Sequence, residues 1–221
     1  MITTTVNSAG QFIEVQTLPA TGTYAILLDP PAGGTGNATF TLYNVVDVTG
    51  SISPGGQAVN LSITIPGQNA RYTFTGSTGQ RVSLNMTGVT ISAKTVYIYK
   101  PDGATLTSTT GTFIDSQTLP ANGSYTIFVD PSGSNTGNMT LTLYDTSDLT
   151  GTITPGGAAV NLSFAIPGQN ARLTFTGNSQ QRISLRLSSV TVPNTTGVTL
   201  LKPRWNHSHV VQCGHLERRV A

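Results

Sequence analysis

The stretch ARYTFTGSTGQRVSLNM, residues 70–86, reads in twos. Tyr72 and Phe74 alternate with Thr73 and Thr75; after a Gly-containing break, Val82, Leu84 and Met86 alternate with polar partners. Successive side chains of an extended chain point to opposite faces, so each run has one apolar and one polar side. TVYIYK (95–100), YTIFVD (125–130) and TLTLYD (140–145) behave alike. Between such runs stand SPGG (53–56), PGQN (66–69), PDG (101–103) and NTGN (135–138). Proline there presets φ, and Gly or Asn tolerates positive φ. No segment shows a capped period of 3.6. Short strands of five to seven residues between turn signals predict an all-β sandwich.

Composition agrees with a packed β protein. Only 9% of the 221 residues are charged. Disordered chains combine high charge with few β-branched residues, whereas this one is rich in Val, Ile, Thr and Tyr. The formal charge of +2 comes from the C-terminal end: Arg204, Arg218 and Arg219 against Glu217. Without these four, 11 − 3 = 8 basic residues balance 9 − 1 = 8 acidic ones. That balance gives no basic footprint for nucleic acid. No apolar run approaches a membrane span. Residues 1–203 hold no Cys, which excludes disulfides and cysteine–zinc sites from that part. MITTTVNSAG at the start lacks the charged and apolar regions of a signal peptide.

The chain also aligns with itself. FIEVQTLPATGTYAILLDP from Phe12 recurs as FIDSQTLPANGSYTIFVDP from Phe113. TGSISPGGQAVNLSITIPGQNARYTFTG from Thr49 recurs as TGTITPGGAAVNLSFAIPGQNARLTFTG from Thr150. Residues 12–91 and 113–192 match without gaps at 48 of 80 positions, a repeat of 101 residues. One extra residue then enters the second copy, and TVYIYKP (95–101) matches GVTLLKP (197–203). Copies this similar are expected to share one fold.

The unit TGSISPGG…PGQNARYTFTGSTGQRVSLNM…TVYIYKPDGATLTS…FIDSQTLPANGSYTIFVDP…TLTLYD resembles the bacterial pre-peptidase C-terminal domain family. The resemblance is carried by Asn69–Phe74, Gly79–Leu84, Pro101–Gly103 and Pro120–Tyr125. It is similar in particular to tandem versions in very large secreted or surface proteins of bacteria, some of Rhs type. The resemblance implies jelly-roll-like antiparallel β-sandwiches of about 100 residues each, a normal domain size. It implies an extracellular or surface-attached, non-catalytic module, with calcium or polymeric ligands in some relatives. Asn69 and Asn170 depart from the acidic residues that the family carries before its aromatic strand. On this alignment residues 49–146 are a complete repeat. Residues 1–46 are the C-terminal half of a preceding repeat, and residues 150–203 the N-terminal half of a following one. The chain is accordingly expected to be a fragment of a longer array.

KPRWNHSHVVQCGHLERRVA (202–221) breaks the pattern. His207, His209, Cys213 and His215 have zinc-ligand chemistry, but their spacing matches no common structural site. A single inserted base near codon 203 explains the segment better. Trp205 must be encoded TGG and Asn206 begins with A, so the shifted frame reads GGA, a glycine opposite Gly103. With permitted codons elsewhere that frame restores P-D-G, L-T-S and G-T. Residues 204–221 are therefore expected to be a frameshifted, disordered tail.

Candidate sites are few. A calcium ion needs six to eight converging oxygens. Asp102, Asp115 and Asp130, with Asp145 and Asp148, are the carboxylates that could supply them. Asp in PDG or before Pro also serves turns. Arg71, Arg81, Arg172 and Arg182 recur in both copies, and Arg is enriched at binding hot spots. Residues 1–203 contain no His to activate a serine, and no G-x-S-x-G, Walker or Rossmann pattern occurs. N-x-S/T triplets, as at Asn60 and Asn161, mark acceptors only in a secretory host. The expectation is a non-catalytic spacer or adhesive array without an obligatory cofactor. Its expected partners are neighbouring repeats; the alternative is a glycan- or protein-binding module, calcium-dependent if the carboxylates converge.

Overall fold

The computed structural model describes residue 7 and residues 9–192 and 197–202. His207, His209, Cys213 and His215 lie outside the described residues. The described residues form eleven strands: β1 (Val48–Ser51), β2 (Val59–Ile63), β3 (Ala70–Gly76), β4 (Arg81–Thr87), β5 (Lys94–Tyr99), β6 (Thr105–Thr109), β7 (Phe113–Thr118), β8 (Gly123–Pro131), β9 (Gly137–Asp145), β10 (Leu149–Thr152) and β11 (Ala171–Thr174). Among the described residues there is no helix.

β1 to β9 build a two-layer all-β sandwich. One sheet has the order β1-β3-β8-β5-β6, the other β2-β9-β4-β7. The alternation explains the layers. In β3, Ala70, Tyr72, Phe74 and Gly76 are buried, while Arg71, Thr73 and Thr75 are exposed. In β8 and β9 the buried series are Tyr125, Ile127, Val129 and Met139, Leu141, Leu143. These meet Val82, Leu84, Val96 and Ile98 in one core. Burying each such side chain contributes about 1.5–3 kcal/mol. Gly76 lies under Leu119 and Tyr125; a Cβ there would come within 2.3 Å of Leu119 Cδ1. Tyr125 is fully buried, and its hydroxyl donates to the Ala121 carbonyl at 2.8 Å, which removes the cost of burying it.

One pairing departs from an all-antiparallel sandwich. β1 runs parallel to β3, Val48 opposite Ala70 and Ser51 opposite Thr73. The same arrangement recurs 101 residues later, β10 parallel to β11 with Leu149 opposite Ala171. Around each pair the local hydrogen bonds repeat. Gln68 Nε2 donates to the Val46 carbonyl and the Asn69 N–H to Asp47. Gln169 Nε2 donates to the Ser147 carbonyl and the Asn170 N–H to Asp148.

Flanking segments contrast with the core. Residues 9–47 carry no strand, and Leu18, Ile26, Leu27 and Leu42 are exposed. So are Leu162, Leu185 and Leu200. Residues 182–192 and 197–202 fall in a second compact unit and carry no strand.

Candidate functional site

The outward face of the five-stranded sheet holds the richest cluster of binding-type side chains. Register builds it: Arg71 on β3 lies opposite Phe128 on β8, and Phe128 lies opposite Tyr97 on β5. Tyr99 stands two residues along, on the same face. Tyr97 and Tyr99 stack with centroids 5.6 Å apart and planes 5° apart. Phe128 tilts against both, at 6.2 and 6.0 Å. The Arg71 guanidinium sits 4.1 Å above the Phe128 ring, a cation–π contact. Asp47 approaches Arg71 Nε at 3.8 Å. Asp130, on the same face of β8, has its carboxyl pushed up by partial burial; Arg71 opposes that shift.

The three aromatics are half-buried, so each keeps part of its surface open to a ligand. They belong to this sandwich and not to the repeat as a whole. The positions equivalent to Tyr97, Tyr99 and Phe128 are Thr199, Leu201 and Leu27. The charged members do recur: Asp47 as Asp148, Asp130 as Asp29, and Arg71 as Arg172, which is exposed on β11 opposite Thr150.

A second cluster lies where β9 leads into β10. An open cleft of about 580 Å³ is lined by Ser77, Gly79, Gln80, Arg81, Asp145, Ser147, Asp148 and Thr150. Its charges are already engaged. Arg81 pairs with Asp148, and Gln80 Nε2 donates to Asp145 at 2.9 Å. Nearby, the buried Ser83 hydroxyl donates to the Pro167 carbonyl at 2.6 Å. Gly168 packs so close to Ser83 that a Cβ there would lie 2.8 Å from the Ser83 Cβ. Gly67, its counterpart, packs in the same way against Val15 and Phe12. The cleft is thus a junction between chain segments, fastened by Arg81–Asp148 and Ser83–Pro167.

The remaining candidates are scattered. Asp102 turns the β5–β6 hairpin: it accepts from the Ala104 N–H at 2.9 Å and faces Lys100 at 3.3 Å. The backbone bond, then Lys100, hold its carboxyl below the usual carboxylate range. Asp115 accepts from the Ser116 N–H on β7. Asp130 belongs to the opposite sheet. Among the described residues no three His, Cys, Asp or Glu side chains gather where a metal ion could be held. Arg182 is exposed and outside any strand.

Sequence reasoning passed over Tyr97, Tyr99 and Phe128. The signal was present: in KTVYIYK, Val96 and Ile98 are the buried series, so both tyrosines take the outward parity where Thr or Ser is usual here. Lys94 was also passed over. It is nearly buried and donates to the Gly111 carbonyl at 3.2 Å, tying β5 to the β6–β7 turn.

No family model matches the chain, and no curated protein matches it. Among solved structures it is similar to a periplasmic inhibitor of g-type lysozyme, PliG, from Aeromonas hydrophila: 16% identity, 45% of this chain and 98% of that one, TM-score 0.35. The PliG of Salmonella Typhimurium gives 19% identity, 44% and 97% coverage and TM-score 0.33. The pre-peptidase C-terminal domain of collagenase from Bacillus anthracis gives 14% identity, 46% and 99% coverage and TM-score 0.36. The domain type that the motifs resemble is among these structures.

Proposed function

We propose that the chain is a non-catalytic, extracellular β-sandwich module that acts as an adhesive spacer. Adhesion would reside on the outward face of the five-stranded sheet. The observation that carries this is the cluster of Tyr97, Tyr99, Phe128 and Arg71 on one solvent-facing surface. Tyr and Arg dominate protein-binding hot spots, because each combines a broad apolar surface with hydrogen-bonding groups. A protein surface is the ligand this chemistry favours, with a glycan as the alternative.

Microspheres coated with the full chain test the reading on protein films and on polysaccharide films. Retention on protein that falls at least tenfold for Tyr97→Ala/Tyr99→Ala, with an unchanged melting temperature, supports it. Retention confined to polysaccharide would reassign the ligand. Equal retention of variant and parent would sink the adhesive part.

A second reading, a spacer alone, is favoured by the junctions. Gln68–Val46, Gln169–Ser147 and Arg81–Asp148 clamp the links that join successive segments.

A further inference from the structure

The flanking segments carry two sets of exposed apolar side chains, and residues 48–145 show what would cover each of them. Residues 12–46 correspond to 113–147, which supply β7, β8 and β9; residues 149–192 correspond to 48–91, which supply β1 to β4. Within the sandwich these two sets are each other's partners. Leu84 on β4 lies opposite Leu143 on β9, Val59 opposite Leu141, and Phe74 opposite Tyr125, their rings stacked at 5.3 Å. The equivalents in the flanks are Leu185 with Leu42, Val160 with Phe40, and Phe175 with Tyr24. All six are exposed. Leu42 is 85% exposed where Leu143 is 1%, and Leu185 is 64% where Leu84 is 0%.

We infer that residues 150–192 of one copy of this chain dock on residues 12–46 of a second copy, completing a sandwich between them. The template for the interface, down to its register, is the pairing of β2 and β4 with β9 and of β3 with β8. A second copy is favoured over closure within one chain by where the flanks attach. Val48 pairs with Ala70, the first residue of β3. Asp145 pairs with Val82, beside the start of β4. β3 runs its full length from Ala70 to the turn at 77–80 that leads into β4, so the flanks join the sandwich at opposite ends. Such a contact uses two different surfaces and is head-to-tail, so it extends copy by copy unless rotation closes a ring.

Sedimentation velocity on the full chain tests this, with Leu42→Asp and Leu185→Asp made separately. Both positions are exposed, so circular dichroism of each variant should match the parent. The parent should give a series of species above the 23.1 kDa monomer that grows with concentration. Each variant alone should lose that series. Mixed, the variants should form one species with the mass of two chains and nothing larger, because each contributes one intact face. A parent that stays monomeric at all concentrations overturns the inference, whether its flanks are then protected from hydrogen exchange or not. So does association that persists in both variants, or a mixture that yields no two-chain species.

Discussion

At the scale of single residues, charge on the outer face is finely set. Asp130 is held protonated more readily than a free carboxylate because burial outweighs the attraction of Arg71. The sign follows from linkage. A raised pKa means that the folded chain binds the proton more tightly, so this group stabilises the fold as pH falls through its folded value. At neutral pH the ionised carboxylate weakens the fold. Asp130→Asn should therefore raise the urea midpoint at pH 7, and the gain should shrink towards pH 3. A lower midpoint at pH 7 would mean that attraction to Arg71 outweighs burial. Asp102 has the opposite sign: its contribution is present above the ordinary carboxylate range and is lost as pH falls through its lowered value. The parity of Tyr97 and Tyr99 was legible in the sequence; the position of Arg71 over Phe128 was not. Parity assigns a residue to a face, whereas that contact depends on which strand lies beside which.

At the scale of elements, alternation and turn residues placed most of the strands between 59 and 145. Partners were less legible. A strand's pattern says which side is apolar and is silent on neighbour or direction. The parallel pairs β1–β3 and β10–β11 are the clearest case, since VTGS and LTGT carry almost no apolar signal. What holds β1 is a glycine under a ring. Gly50 lies opposite Tyr72, and a Cβ on it would come 2.6 Å from Tyr72 Cε1. Tyr72 is buried and cannot swing clear. Gly50→Ala should cost about 1–3 kcal/mol, the usual penalty of overpacking, read as a lower urea midpoint of the full chain. An unchanged midpoint would show that β1 yields to the methyl without loss.

At the scale of the whole chain, the 101-residue repeat was plain in the sequence because apolar and turn positions recur together. Equal sequence did not bring equal burial: Leu119 and Leu18 are equivalent, yet one is buried and the other open to solvent. Sequence records what each segment can bury and leaves open whether its partner is at hand. Limited proteolysis of dilute full chain with a non-specific protease should cut first within 9–46 and 150–192, where the backbone has few ladder bonds. A resistant fragment spanning 48–145 should remain. Early cuts inside 48–145 would contradict the burial pattern.

The parallel β1–β3 pair carries a consequence for a chain under load. Four residue pairs join the two strands. Tension drawn along β1 shears those rungs side by side, so they yield together. A strand peeled away sideways gives up one rung at a time. The first strand of the sandwich is thus a latch against traction along the chain, held by Tyr72 lying across Gly50.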